Sequence, residues 1–171
     1  MTLTQFERLM LPHLDSAYHL ARWLVRNEHD AQDQVQEAYL RAYRFFPQFR
    51  GGDGRAWLLT IVRNVCYSWL RRNRIDDLAE PFDEEVHTGE AVAIIDAHER
   101  RDQTELLNRA LEQMPALFRE VLVLRELEGL SYKEIADVAD VPIGTIMSRL
   151  ARARRQLQAE VARQMKAPFA S

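Results

Sequence analysis

The sequence predicts an all-α fold in which a flexible acidic linker joins two small helical domains. Apolar residues recur at the three- and four-residue spacing of helices along most of the chain, and no stretch alternates apolar and polar residues as a half-buried strand does. Proline and glycine interrupt these periodic stretches at intervals that suit short helices. The charges are also segregated into two basic segments with an acidic segment between them.

The charge pattern indicates where the domains meet. Residues 55–74 contain five arginines and no acid, whereas residues 76–105 contain eleven acids and two arginines. An acidic stretch without periodicity stays solvated and extended. We therefore predict a first domain over residues 1–75, a linker over 76–96 and a second domain over 97–171.

The bulk composition excludes several classes of protein. The chain has no apolar run near the roughly 20 residues of a membrane span and no signal-peptide pattern at its start. Its one cysteine, Cys66, cannot form an internal disulfide. These features predict a cytoplasmic protein that does not insert into a membrane.

The first domain is expected to contain three main helical segments. Thr4 to Glu7 has the pattern of a capping box, and Pro12 either kinks the first helix or restarts it. Asp30 is a candidate cap for the second helix, which Pro47 ends. A glycine-rich break at residues 51–54 precedes the third helix, and a stripe of apolar residues runs along one side of that helix.

The second domain is expected to contain four helices. An apolar stripe marks the fourth helix of the chain, Pro115 suits the first turn of the fifth, and Gly129 suits its C-terminal cap. Ser131 and Glu134 form a capping box at the start of the sixth helix, and Pro142 begins the seventh.

The last two helices have the pattern of a helix-turn-helix. At about 100° per residue, one side of the seventh helix is apolar and faces the core. Its members are Ile146, Leu150, Ala153 and Leu157. The opposite side suits the major groove of DNA and consists of Thr145, Ser148, Arg149, Arg152 and Arg155. A solvated arginine face is the alternative, but the caps and the almost acid-free polar side favour the helix-turn-helix.

Two further segments suggest binding surfaces in the first domain. Asp30, Asp33 and Glu37 are close together on a helix and suit a basic partner, although an ordinary solvated face explains them equally well. Residues 49–74 combine aromatic rings with arginines, as single-stranded nucleic acid requires, because bases stack on rings and cations hold the backbone. Trp57 and the other aromatic residues also suit a hydrophobic core.

Three stretches in order resemble the extracytoplasmic-function sigma factors of the sigma-70 family. Their polymerase-clamp-binding segment is similar to DAQDQVQEAYLRAY, residues 30–43. Their promoter-melting and −10-reading segment is similar to FRGGDGRAWLLTIVRNVCYSWLRR, residues 49–72. Their −35-reading segment is similar to LSYKEIADVADVPIGTIMSRLARARRQL, residues 130–157. The resemblance covers nearly the whole chain and implies a region 2-like first domain and a region 4-like second domain.

The resemblance also implies roles for particular residues. The surface for bacterial core RNA polymerase would include Asp30, Asp33, Gln36 and Glu37. The −10 element, as single-stranded DNA, would meet Phe49, Arg55, Trp57, Arg63, Asn64, Arg71 and Arg72. The −35 duplex would meet Thr145, Ser148, Arg149, Arg152 and Arg155. Family members are commonly held inactive by an anti-sigma factor, so such a partner is expected as well.

The sequence departs from the family pattern at several places. Asp140 stands in the turn where a glycine is common, which requires a left-handed or type I conformation. The loop before Trp57 is unusually rich in glycine, and Tyr67 and Ser68 stand where small or acidic residues are frequent. The exact −10 contacts are therefore left open.

The residues suggest no catalytic function, no cofactor and no metal site. The five histidines lack the spacing of metal ligands, and the chain has no phosphate-binding glycine loop of a known form. The sequence predicts a promoter-specificity subunit without enzymatic activity. Two other functions remain open from the residues alone: a stand-alone helix-turn-helix regulator, and a helical adaptor that binds acidic partners.

Overall fold

The computed structural model describes residues 2–73 and 100–166, and every regular element within those ranges is helical. This confirms the predicted all-α class. The first domain contains α1 (Leu3–Met10), α2 (Leu14–Val25), α3 (Glu28–Phe45) and α4 (Gly54–Arg72). The second contains α5 (Arg100–Glu112), α6 (Ala116–Leu122), α7 (Tyr132–Ala139) and α8 (Ile143–Lys166). The predicted linker, residues 76–96, lies outside the described residues.

The helix starts correct two of the expected caps. Thr2, and not Thr4, is the N-cap of α1, and it forms the capping box with Gln5. Asn27, and not Asp30, caps α3, because the Asn27 side chain accepts a hydrogen bond of 3.0 Å from the Asp30 backbone N–H. Asp30 lies in the first helical turn, where its negative charge is favourable.

The remaining breaks follow the prolines and glycines. A short 3₁₀ turn at Leu11–His13 separates α1 from α2, so the chain restarts at Pro12. Pro115 precedes α6 as its N-cap, and a π-helical turn, Val123–Leu127, follows α6. Gly129 then adopts a φ of +67°, as a C-terminal glycine does at low steric cost.

The two domains pack against each other along one face, here called the domain junction. At this junction α2 contacts α6, and α4 contacts α7. Buried apolar residues of both domains form one continuous cluster. In the described ranges, no helix is long and apolar enough to cross a membrane.

Hydrogen bonds reinforce the domain junction. Arg119 is fully buried, and its guanidinium donates to the Trp23 carbonyl at 2.6 Å and the Leu24 carbonyl at 3.1 Å. It also donates to the Met114 carbonyl in its own domain. Because Trp23 and Leu24 lie in the last turn of α2, a side chain of the second domain satisfies carbonyls at the end of a first-domain helix.

Candidate nucleic-acid interface

The acidic side of α3 faces solvent. Asp33 and Gln36 are exposed, whereas Asp30 and Glu37 are partly buried. Arg41, one turn after Glu37, donates a hydrogen bond of 2.9 Å to the Glu37 carboxylate. The four residues predicted to meet the polymerase are therefore at least partly accessible, on a helix whose opposite side is held in the core.

A row of aromatic rings precedes and begins α4. Phe46 and Phe49 are stacked with 6.0 Å between ring centroids, and Phe49 lies 5.0 Å from the Trp57 ring. Phe49 and Trp57 are both partly buried, so each ring packs on the core and keeps one part accessible. The core role that the sequence left open is thus observed, while part of each ring stays accessible to solvent.

An open pocket of about 400 Å³ lies beside this aromatic row. It is lined by Gln5, Arg8, Leu9, Phe46, Phe49 and Gly51. The three α1 residues were not among the sequence candidates. They line the pocket because α1 packs near a loop that lies more than 35 residues later in the chain. The pocket provides an apolar wall and one cation, Arg8.

The predicted −10 residues of α4 fall into two groups. Asn64, Arg71 and Arg72 are exposed, and Arg71 donates a hydrogen bond of 3.2 Å to the Ser68 hydroxyl. In contrast, Arg55 and Arg63 face the second domain. Arg55 donates to the Glu128 carbonyl at 3.0 Å and lies 3.9 Å from the Glu134 carboxylate.

Arg63 forms an ion pair across the domain junction with Glu120, which is fully buried. The Tyr67 hydroxyl lies 3.3 Å from the same carboxylate, within the distance of a weak hydrogen bond. Burial raises the pKa of Glu120, and Arg63 is the largest influence in the opposite direction. Burial acts to lower the pKa of Arg63, but Glu120 more than offsets this, so the Arg63 pKa is raised.

The helix-turn-helix has the predicted caps. Ser131 and Glu134 form the capping box of α7, with backbone-to-side-chain distances of 2.9 and 3.1 Å. Asp140 adopts the left-handed conformation, with φ 56° and ψ 50°, and ends α7. Two helices thus meet at a tight turn that requires positive φ at a non-glycine residue.

The predicted −35 residues of α8 are not equally exposed. Ser148 and Arg155 are exposed, whereas Thr145 and Arg152 are partly buried, and the Arg152 guanidinium lies 5.5 Å from the Phe118 ring centroid. Arg149 is partly buried, and its charge acts against the burial that raises the pKa of Glu120. The Arg149 Nη1 is buried and has no hydrogen-bond acceptor among the described residues.

The chain matches two sigma-70 families in order along its length. Residues 9–75 match sigma-70 region 2, and residues 104–157 match sigma-70 region 4. The chain is 36% identical over 141 residues to the extracytoplasmic-function RNA polymerase sigma-E factor of Escherichia coli K12, and the match covers 77% of this chain and 74% of that protein. The chain belongs to the extracytoplasmic-function sigma factors.

Two further relatives agree with this membership. The extracytoplasmic-function RNA polymerase sigma factor SigE of Mycolicibacterium smegmatis is 34% identical over 162 residues, covering 91% of this chain but only 61% of that protein. The sigma factor RpoE of Bartonella quintana, solved in complex with the anti-sigma factor NepR, superimposes with a TM-score of 0.69. Its sequence identity is 30%, and the alignment covers 94% of this chain and 98% of that chain.

Sequence reasoning missed the residues with which this sigma factor closes its domain junction. Arg119 and Glu120 are both fully buried, and Glu128 accepts a hydrogen bond of 2.6 Å from Ser16 of the first domain. The sequence does contain a signal, because an adjacent pair of opposite charges interrupts the apolar run from Ala116 to Leu124. Charged residues are rarely fully buried unless they have partners.

The described residues of this sigma factor contain no group of three or more His, Cys, Asp or Glu side chains that would hold a metal ion. Cys66 is buried in α4, and burial raises the pKa of its thiol to about 12. A thiol with such a pKa is almost entirely protonated at neutral pH, so it packs as a small apolar side chain.

Proposed function

We propose that this sigma factor directs bacterial core RNA polymerase to a defined class of promoters and assists their opening. The observation that carries the proposal is the order of the two matched regions, each of which coincides with one helical bundle. We assign core binding and −10 recognition to residues 1–75, linkage to residues 76–96, and −35 recognition to residues 97–171. As an initiation factor of the polymerase it works in the cytoplasm and carries out no reaction of its own.

In this proposal, the core polymerase binds the acidic side of α3. Asp30, Asp33, Gln36 and Glu37 would meet a basic surface of the polymerase, and the exposure of Asp33 and Gln36 supports this role. Charge complementarity of this kind speeds association more than it raises affinity.

The −10 element would be held as a single strand by α4 and the preceding loop. Phe49 and Trp57 offer partly exposed rings for stacking, and the adjoining pocket of about 400 Å³ has room for an unstacked base. Asn64, Arg71 and Arg72 lie exposed on α4 for contacts with the DNA backbone and bases. Arg55 and Arg63 complete this set only after they leave their partners in the second domain.

The −35 element would be read as a duplex by α8. Ser148 and Arg155 are free to contact DNA in the described conformation, and Thr145 and Arg152 lie beside them. Arg149 lies partly buried on the same helix. Because Arg55 and Arg63 are held by the second domain, full promoter contact requires the domain junction to open.

We also propose that an anti-sigma factor regulates this protein. The support is its similarity to the Bartonella quintana sigma factor, which was solved with an anti-sigma factor bound. Such a partner would be expected to favour the closed junction, in which Arg55 and Arg63 are held away from DNA.

Run-off transcription tests this function directly. The full chain is mixed with core polymerase and a promoter library, and initiation from a defined promoter class is expected. The double variant Phe49→Ala, Trp57→Ala should bind the polymerase but open promoters poorly. Tight binding to a palindromic site without polymerase would instead indicate a stand-alone regulator, and binding that is indifferent to DNA sequence would indicate an adaptor.

A further inference from the structure

A second apolar stripe runs along α8 beside the stripe that packs in the core. Ile143 and Met147 are one helical turn apart, and these residues are 47% and 53% exposed. Ala151 continues the stripe one turn later and is also exposed. The buried residues of α8 are Ile146, Leu150 and Ala153, so about half of Ile143 and Met147 remains available to a partner.

The surroundings of the stripe indicate the chemistry of its partner. Ser148 and Arg155 are exposed beside it, and α8 has no acidic residue before Glu160. Gly144 also faces open space, since a Cβ at that position would meet nothing within 4 Å. An apolar strip with a cationic and hydroxyl border, at the start of a helix-turn-helix second helix, fits a polyanion that also has apolar groups on its surface.

The major groove of DNA has one such group. Among the base edges exposed there, only thymine presents a methyl group, and apolar side chains recognise it by direct contact. Methionine suits this contact because its unbranched thioether adapts to a partner of fixed shape. In contrast, phosphate contacts made by arginine do not distinguish one base pair from another.

We propose that Met147, flanked by Ile143 and Ala151, contacts thymine C5-methyl groups in the −35 duplex and thereby sets the promoter preference of this sigma factor. The inference rests on the proposed function, in which α8 enters the major groove. It adds a specificity residue that the sequence candidates did not contain, since those were chosen for their polar side chains.

Replacing thymine by deoxyuridine tests the contact, because this change removes the methyl group and keeps the hydrogen-bonding edge. The full chain and core polymerase are assayed on a promoter enriched from a library, with each −35 thymine replaced in turn. At one or two positions we expect the wild-type affinity to fall about fourfold, the value of one buried methyl group. Met147→Ala should bind the thymine promoter about fourfold more weakly and be insensitive to the same replacement.

Two further variants control the experiment. Met147→Leu retains an apolar side chain and should retain sensitivity to deoxyuridine. Met165→Ala removes a methionine that is 71% exposed at the far end of α8, and it should behave as wild type. Equal free energies of unfolding for the three variants establish that folding is unchanged.

The outcomes separate this inference from the proposed function. If a promoter is enriched and transcribed but deoxyuridine has no effect at any −35 position, the inference is wrong and the function stands. The inference also fails if Met147→Ala keeps the full deoxyuridine penalty. It fails as well if this variant leaves the promoter affinity unchanged and reduces only the self-association of the protein, measured by sedimentation. If no promoter is enriched with core polymerase, the proposed function itself fails.

Discussion

The domain junction and the outer side of α8 use basic residues in opposite ways. At the junction, Arg119 is buried among carbonyl groups and Arg63 is paired with a buried carboxylate, so both charges are committed to folding. On α8, in contrast, the Arg155 side chain is exposed to solvent. Arginines that look alike in the sequence thus divide into those that hold the domains together and those available for DNA.

This difference predicts that substitutions in the two regions will affect different properties of the protein. Changes at the junction should lower the free energy of unfolding by about 1 to 3 kcal/mol or more, because a buried polar group without a partner is costly. Changes on the outer side of α8 should leave stability almost unaltered and act on DNA binding. The predictions below run from the largest expected effect to the smallest.

Arg119→Ala should lower the free energy of unfolding by roughly 3 kcal/mol or more, since it leaves buried carbonyls without a donor and creates a cavity. Urea unfolding followed by tryptophan fluorescence measures the loss. Arg109→Ala is the matched control, because Arg109 is exposed and pairs with Glu105 in its own helix. That control should change stability by less than about 0.5 kcal/mol, and a similar loss in both variants would contradict the assignment of Arg119 to the junction.

Glu120→Ala should lower the free energy of unfolding by about 1 to 3 kcal/mol at neutral pH, because Arg63 loses its acceptor and a cavity is left in the junction. The loss is smaller than for Arg119 because the variant also avoids the cost of burying a carboxylate. Glu126→Ala removes an exposed carboxylate paired with Arg154 and should have little effect. An equal loss in both variants would mean that burial at the junction does not matter.

The same residue predicts an unusual pH dependence. Burial raises the pKa of Glu120 above its ordinary value of 4.5, so the folded chain binds this proton more tightly than the unfolded chain. The stability that Glu120 contributes is therefore fully present below pH 4.5 and is lost as the pH rises through the folded-state pKa. The difference in stability between wild type and Glu120→Ala, measured across this range, should move in wild type's favour as the pH falls; the opposite trend would show that the ion pair outweighs burial.

Arg155→Ala should reduce promoter affinity by a factor of about ten and lower the salt dependence of binding by about one counterion. Its effect on the free energy of unfolding should stay within about 0.5 kcal/mol. Fluorescence anisotropy with labelled promoter and core polymerase, at several salt concentrations, measures both quantities. Arg163→Ala, which removes an exposed arginine paired with Glu160, is the control and should bind nearly as wild type. Unchanged affinity in Arg155→Ala would remove this residue from the DNA surface.

Asp140→Gly should raise the free energy of unfolding by about 0.5 to 1 kcal/mol, because glycine adopts the left-handed conformation without a Cβ penalty. Asp137→Gly, at an exposed position inside α7, should lower it by about 0.3 kcal/mol. Thermal unfolding of the two variants in parallel provides the comparison. Destabilisation by both would show that the φ of 56° at Asp140 costs nothing.

The sequence predicted the features that depend on local spacing. The buried side of α8 follows from apolar residues one and two turns apart, and its start follows from Pro142. Local rules were less decisive for α3, because Asn27 and Asp30 are both good caps and only the backbone geometry selects Asn27. Helix type and register were therefore predictable, whereas the exact start was not.

The sequence could not predict the domain junction, since its partners are far apart in the chain. Glu120 is tolerated in the interior because Arg63, 57 residues earlier in the chain, lies beside it. This pairing appears when the two domains are placed together. Helical periodicity assigned Arg149 to the outer side of α8, although its Nη1 atom is buried. The DNA-contact roles of these arginines remain predictions.

The position of Arg119 also has a consequence for how the chain is made. Its guanidinium donates to the Trp23 carbonyl across 96 residues of sequence. At the roughly 5 to 20 residues per second of ribosomal synthesis, the end of α2 waits about 5 to 20 s for this donor to be added. The end of α2 thus emerges before the side chain that satisfies its carbonyl groups, and a later part of the nascent chain completes it.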